Sequence, residues 1–344
     1  MRNSSSIELL SQSHPLLHPV KYERIVDLDI PSKTDKLQRK KLKQDQNLYA
    51  TATAMMQQKQ YFSQIYMNSL SLPLSQQFRM RVQCIFNQPC NNDVQGKREV
   101  TSLNGHSVNL SSMRRLQPAT DEYGIDLKTQ TEREARYLND EIVNYYFRML
   151  EIQNRNETYV QHNSLHSPRC AFFSSFLMKK ILYDSDKSPR AYNYERVKRW
   201  SIRICDRFGV RDIFCLDKLY IPICYNKHWS CIIVHMREKI IQRYDPMNFR
   251  DGGGHLETVM NYIQDEFKHY REGEKEPDWR EWTVQDTFEY SCPTQTNSVD
   301  CGMFVLFFAY LTSIDLPLEI NQCHINVHAR DKVALSILHH QLMI

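Results

Sequence analysis

Gln295-Thr296-Asn297-Ser298-Val299-Asp300-Cys301-Gly302-Met303-Phe304-Val305-Leu306-Phe307-Phe308-Ala309 is the stretch on which the reading of this 344-residue chain turns. Its first half is polar and its second half apolar on every side, the pattern of a helix buried all round. Cys301 stands at the junction, so it opens a core helix whose N-terminus emerges at a surface or cleft. A thiol there has its thiolate stabilised by the helix dipole and by free N–H groups, which makes a nucleophile near neutral pH. Gly302 behind it allows close backbone approach, as an acyl substrate would require. The other nine cysteines fit a plainer role as inert thiols. None forms a Cys-x-x-Cys pair, so the common zinc and thioredoxin-type spacings are absent. Cys215, Cys224 and Cys231 lie in apolar stretches, where a reduced thiol behaves as a small hydrophobe. Thiols scattered this way suit a reducing compartment.

A thiolate nucleophile needs a general base, and the base needs an orienting partner. Among 13 histidines, His228 is singled out by its place in the numbering. The runs 228–236 and 239–245 flank the charged Arg237-Glu238 and read as a β-hairpin. With a two-residue loop, paired residues sum to 475 and Asp245 is the diagonal neighbour of His228. With a four-residue loop they sum to 473 and the two residues face each other. Either register puts both side chains on one face within reach; only an odd-numbered loop or a bulge separates them.

Around this nucleus the elements alternate in type. Asn139 reads as the cap of a helix carrying Leu138, Ile142, Tyr145, Tyr146, Met149 and Leu150 at helical spacing. Helices are expected over Ala171–Lys180 and Tyr194–Cys205, strands over Asp217–Cys224 and Trp282–Tyr290, and further helices over Leu256–Tyr270 and Val327–Leu342. Helices before and after a block of neighbouring strands define an α+β domain, assigned here to residues 121–344. Residues 1–120 differ in texture. They hold 16 Lys+Arg against 8 Asp+Glu, and 13 glutamines fall in the first hundred positions. The remaining 224 residues hold 28 against 32. A basic, Gln/Ser/Asn-rich segment with little periodicity is expected to be largely disordered, with short helices near 47–70. No apolar leader follows Met1. The longest apolar run, Met303–Leu311, is half of the roughly 20 residues a membrane span needs. Gly252-Gly253-Gly254 lacks the context of a phosphate loop and reads as a flexible connector. The basic run Lys36–Lys43 reads either as a nuclear import signal or as a solvated, disordered run, and the nucleus, the cytoplasm or both are the expected locations.

Four segments then combine in order: Tyr137-Leu138-Asn139-Asp140, His228-Trp229-Ser230, Tyr244-Asp245 and Gln295–Met303. Together they resemble the signature blocks of the SUMO-specific (sentrin-specific, Ulp-type) cysteine proteases, over roughly residues 125–344. The order His, Asp, Cys separates this group from the papain enzymes, where the cysteine comes first.

The resemblance implies a papain-like α+β fold with a central, mostly antiparallel sheet and flanking helices. It implies Cys301 as nucleophile, His228 as base, Asp245 as its orienting partner and Gln295 as oxyanion donor. Trp229 and Tyr137 would wall a tunnel for a modifier's Gly-Gly tail, with Tyr137 where the family usually has Trp. Asp140 would contact a basic residue on the modifier. The implied activity is thiol proteolysis after the C-terminal Gly-Gly of a ubiquitin-like modifier, with no metal or cofactor. SUMO is favoured as partner, since Val197–Trp200, Phe214–Ile223 and His324–Leu342 resemble the SUMO branch. A NEDD8-directed enzyme, a viral-type polyprotein protease and a catalytically idle modifier-binding module are the alternatives. No nucleic-acid or membrane partner is expected, and the chain is expected to be a monomer.

Overall fold

The structure is a computed structural model that describes residues 33–118, 128–160, 168–182 and 192–343. Two compact units, 1–54 and 55–344, divide the chain. What is described of the first is the opening stretch of a helix, α1 (Lys33–Ser71), which bears exposed Lys40, Lys41 and Lys43. The second unit holds everything else. After α1 come α2 (Gln76–Phe86) and an antiparallel hairpin of β1 (Glu99–Leu103) and β2 (His106–Asn109). Then follow α3 (Asp140–Val160), β3 (Cys170–Phe172), α4 (Phe176–Leu182) and α5 (Trp200–Phe208). The strands β4 (Lys218–Tyr225), β5 (His228–His235) and β6 (Ile240–Tyr244) precede α6 (His255–Tyr270) and β7 (Thr283–Gln285). Helices α7 (Cys301–Ser313) and α8 (Val327–His339) close the fold.

Strands β3 to β7 form one sheet in sequence order. Its centre, β4-β5-β6, is antiparallel, while the short edge strands β3 and β7 pair parallel to their neighbours. Both faces of the sheet are covered, so β5 is apolar at successive positions. Trp229, Cys231 and Ile233 belong to the core built around α7, with Phe304, Phe307 and Phe308. Ile232 and Val234 belong to the core built around α6, with Val259, Tyr262 and Ile263. The period of two along a strand produces this division, and it later separates the Trp229 and His228 sides of the site. Each fully buried phenylalanine of α7 contributes about 1.5–3 kcal/mol relative to exposure, which fixes the helix that carries Cys301.

Asn139 caps α3 as expected, its side-chain oxygen accepting from the Ile142 N–H at 3.3 Å. Elsewhere the elements shift. Cys170–Phe172 is a strand, so the helix expected from Ala171 begins only at Phe176. The strand expected over Trp282–Tyr290 shrinks to Thr283–Gln285, because Asp286 caps a tight turn at Thr287–Glu289. The helix expected from Tyr194 begins at Trp200, after a single turn at Tyr194–Arg196.

The largest difference concerns the expected disorder of residues 1–120. Residues 55–118 are built into the second unit. Met67 and Leu70 of α1 and Val82 and Phe86 of α2 are buried in the same core as α7, with Val108, Met113 and Leu116. Tyr66 stacks on Tyr310 with ring centroids 4.8 Å apart. Apolar residues are sparse here, but those at i, i+3 or i, i+4 share one helix face, so low mean hydropathy conceals a narrow burying stripe. Residues 1–32, to which the same expectation applied, lie outside the described residues, as does the expected boundary at 121.

Candidate active site

The β5-β6 ladder pairs Cys231 with Tyr244 and His235 with Ile240, the register that sums to 475. His228 and Asp245 therefore lie diagonally on one face, and the His228 Nε2 meets Asp245 Oδ1 at 2.7 Å. With Nε2 committed to Asp245, Nδ1 is the ring nitrogen left for Cys301. Burial works against a charged imidazole at His228. Hydrogen bonds to Asp245 and Cys301, and their negative charge, outweigh it and raise the group to about 9. The imidazole thus carries its proton through neutral pH. The ring of Phe249, half exposed, stands edge-on to it at 5.3 Å.

Asp245 is fully buried, and its carboxylate is held on both sides. Oδ1 also accepts from the Met247 N–H at 2.8 Å, and Oδ2 accepts from Arg243 Nη2 at 2.5 Å. The chain leaves β6 here, since Pro246 has no N–H for a ladder. The Pro246 carbonyl instead accepts from the Gln295 N–H at 2.7 Å, which ties the aspartate segment to the cysteine segment.

Cys301 is the first residue of α7, where N–H groups lack intrahelical acceptors. The loop before it is pinned by Asp300, which is 2% exposed. One oxygen of Asp300 accepts from Arg330 at 2.5 Å; the other accepts from Asn297 at 2.6 Å and Gln322 at 2.9 Å. Arg330, 1% exposed, also donates to the Arg115 carbonyl at 2.9 Å. A buried pair of this kind costs about 3–5 kcal/mol when one partner is removed. Gln295 Nε2 donates to the Asn297 carbonyl at 2.6 Å, which leaves its second amide proton uncommitted, and Oε1 is buried without a partner among the described residues. Gly302 also meets a packing need within the fold. A Cβ there would lie 2.8 Å from the Leu138 side chain, so the missing side chain admits the Tyr137-Leu138 segment to the helix. Within the Gly252-Gly253-Gly254 connector, Gly253 is closely packed, since a Cβ there would collide with the ring of His255.

Tyr137, Asp140 and Trp229 share a cleft of about 490 Å³ with Arg115, Cys224 and Lys227. Trp229 lines it although 1% exposed, its Nε1–H donating to the Leu138 carbonyl at 2.7 Å. Arg115 donates to the Tyr137 carbonyl at 2.9 Å. Asp140 is already engaged, with Ser175 at 3.0 Å and Lys179 at 3.4 Å. Neither Cys301 nor His228 borders this cleft. A second cavity, about 230 Å³, lies on the other side of the hairpin, lined by His228, Asp245, Arg243, Phe249 and the Asp251–His255 pair.

All ten cysteines are free. Burial pushes Cys170 and Cys205 up to about 12 and Cys224 and Cys292 up to about 11, so these thiols stay protonated. Among the described residues, no group of three or more His, Cys, Asp or Glu is placed to hold a metal ion. Arg243, Asp300 and Arg330 went unread in the sequence. Arg243 alone had a signal there: two residues before Asp245 on a strand, it must share its face.

A buried helix that presents a cysteine to a histidine–aspartate pair across a sheet defines the class of thiol proteases. The sequence profile of the Ulp1 protease family, C-terminal catalytic domain, matches residues 136–340, and the chain belongs to that family. It is similar to human sentrin-specific protease 2, at 29% identity over 214 residues, covering 62% of this chain and 32% of that protein. It is also similar to the ubiquitin-like-specific protease ESD4 of Arabidopsis thaliana, at 31% identity, covering 55% and 35%. The chain therefore spans about a third of the length of these relatives. Its fold matches the yeast Ulp1 protease domain solved in complex with Smt3, with a TM-score of 0.55 at 22% identity over 78% of this chain and 97% of that one. A Chaetomium thermophilum Ulp1-like SUMO protease catalytic domain matches at 0.55 and 18% identity, covering 78% and 91%.

Proposed function

We propose that this chain hydrolyses the bond that follows the C-terminal Gly-Gly of a ubiquitin-like modifier, SUMO in the first place. The observation that carries the proposal is the His228–Asp245 contact at 2.7 Å beside Cys301 at a helix start, with an aromatic cleft one strand face away. The Cys301 sulfur attacks the carbonyl carbon of the last glycine. The oxyanion is met by the free Gln295 amide proton and the N–H groups at the start of α7. As the tetrahedral centre collapses, the C–N bond breaks, the His228 proton goes to the departing amine, and a thioester remains. Water then attacks the thioester, giving its proton to His228, and the modifier leaves with a free carboxylate. Asp245 holds the ring for both proton transfers. Tyr137 and Trp229 line the approach for the tail, where only glycines are thin enough to pass between flat rings.

The name of the human relative and the Smt3 complex favour SUMO over NEDD8. The test is hydrolysis of SUMO-, NEDD8- and ubiquitin-derived C-terminal substrates by the full chain. SUMO substrates are expected to be cleaved at least about tenfold faster, some 1.4 kcal/mol in transition-state binding. Equal rates, or a preference for NEDD8, would refute the choice of modifier. Absence of cleavage on all three would favour the idle binding module.

A further inference from the structure

Asp245 is wedged between two cations. One, the imidazole of His228, changes its charge twice in each turnover of the reaction proposed above. The other does not. Arg243 is 4% exposed and forks across two carboxylates. Its Nη2 donates to Asp245 Oδ2 at 2.5 Å and its Nη1 to Asp286 Oδ1 at 2.8 Å. Nη1 also reaches the Phe249 carbonyl at 2.7 Å, while the Asp251 N–H donates to Asp286 Oδ2 at 2.8 Å. The guanidinium and Asp286 therefore fasten both the catalytic carboxylate and the loop that lays Phe249 against His228. The Tyr290 hydroxyl, bonded to the Arg243 carbonyl at 2.7 Å, and the Thr287 hydroxyl, 3.3 Å from the Asp245 N–H, fix the strand end from the outside.

A buried carboxylate that loses its counter-charge is strongly destabilised. Without a second cation, Asp245 would stand unpaired each time His228 passes its proton to the leaving amine. We propose that Arg243, held by Asp286, is a positioning residue that gives the Asp245 carboxylate a permanent counter-charge and keeps it turned toward His228 throughout the catalytic cycle. The inference rests on the proposed protease function for its purpose, but its physical content lies in the resting protein. The charged or titratable groups that line the cavity with His228 are Asp245 and Arg243 at the end of β6, Tyr225 at the end of β4, and Arg250, Asp251 and His255 from the loop and α6; Cys301 bonds to the imidazole from α7. Of these, Arg243 is the one in direct contact with the carboxylate that holds the imidazole. Its charge weakens the pull of Asp245 on the His228 proton, and Asp286 in turn moderates Arg243.

The two neighbours must therefore move His228 in opposite directions. The test is an NMR titration of the His228 imidazole in the full chain without substrate, its resonance identified by absence from His228→Gln. Arg243→Gln should raise the midpoint by about one pH unit, and Asp286→Asn should lower it by a similar amount. Arg243→Lys, which keeps the charge, should restore it to within a few tenths of the native value. The alkaline limb of kcat/KM should follow the midpoint in each variant. A purely structural Arg243 would change thermal stability and leave the midpoint in place. Folded variants with unmoved midpoints would overturn the proposal, and if Arg243→Gln fails to fold, an unmoved Asp286→Asn overturns it alone. A native chain that titrates as described yet cleaves no modifier would sink the proposed function and leave this inference standing.

Discussion

The two sides of the β4-β5 hairpin hold cavities of opposite character. On the Trp229 side the cleft is larger, about 490 Å³ against 230 Å³, and two aromatic rings border it. On the His228 side lie Asp245, Arg243, Asp251 and His255, bound to one another or through one intervening carboxylate. One strand supplies both, because Trp229 and His228 are consecutive and point to opposite faces. On the proposed function the difference divides the work: the Trp229 side would recognise a chain, and the His228 side would manage a proton. Substitutions on the first should act on KM, and substitutions on the second on kcat and its pH dependence.

The largest expected effect breaks both sides at once. A chain beginning at Asp121 loses Arg115, which holds the Tyr137 carbonyl, and bares the core that Met67, Leu70, Val82, Phe86 and Leu116 cover. It should fail to fold cooperatively in thermal denaturation and should be inactive, whereas a chain beginning at Met55 should melt cooperatively and cleave. Next is Asp245→Asn, which should lower kcat by about 10²–10⁴-fold. Because Asp245 helps lift His228 to about 9, the imidazole then loses its proton at lower pH. The alkaline limb of a kcat/KM profile should move down, with KM little changed.

Tyr137→Ala should do the reverse, raising KM about tenfold, some 1.4 kcal/mol, while the pH profile keeps its shape. A shifted limb in Tyr137→Ala, or a change confined to KM in Asp245→Asn, would erase the division between the sides. The smallest effect belongs to Asp140→Lys. Asp140 already pairs with Lys179 at 3.4 Å in a half-exposed setting, and such pairs contribute about 0–1 kcal/mol. A few-fold loss on SUMO substrates at low salt, fading as salt rises, is expected from steady-state rates.

The site was legible in the sequence to the extent that chemistry demanded rare residues at fixed spacings. Cys301 at a polar-to-apolar junction, and His228 and Asp245 with a shared parity in a hairpin, could be placed before any coordinates. Their supports could not. Arg330 reaches Asp300 from α8, thirty residues on, and nothing local marks either as a buried pair. Asp286 reads as an ordinary strand residue until its side chain is seen capping a turn and holding Arg243. Residues 55–118 read as disordered for a related reason. Their burying stripe is a few residues wide and draws its stability from contacts with α7 and α8, so composition alone registers only the solvated face. Gly302 shows the limit at one position: the need for glycine was visible, but the neighbour that requires it, Leu138, lies across the fold.

The central claim, that Cys301 is the nucleophile and the other nine thiols are bystanders, is tested most directly by covalent capture. The full chain is incubated at neutral pH with SUMO carrying an electrophile in place of its C-terminal carboxylate, and the adduct is mapped by mass spectrometry. One adduct per chain, located at Cys301, abolished by Cys301→Ser and slowed strongly by His228→Ala, is the predicted result. Capture that persists in a folded Cys301→Ser chain, or an adduct mapping to Cys84, Cys224 or any other cysteine, would contradict it.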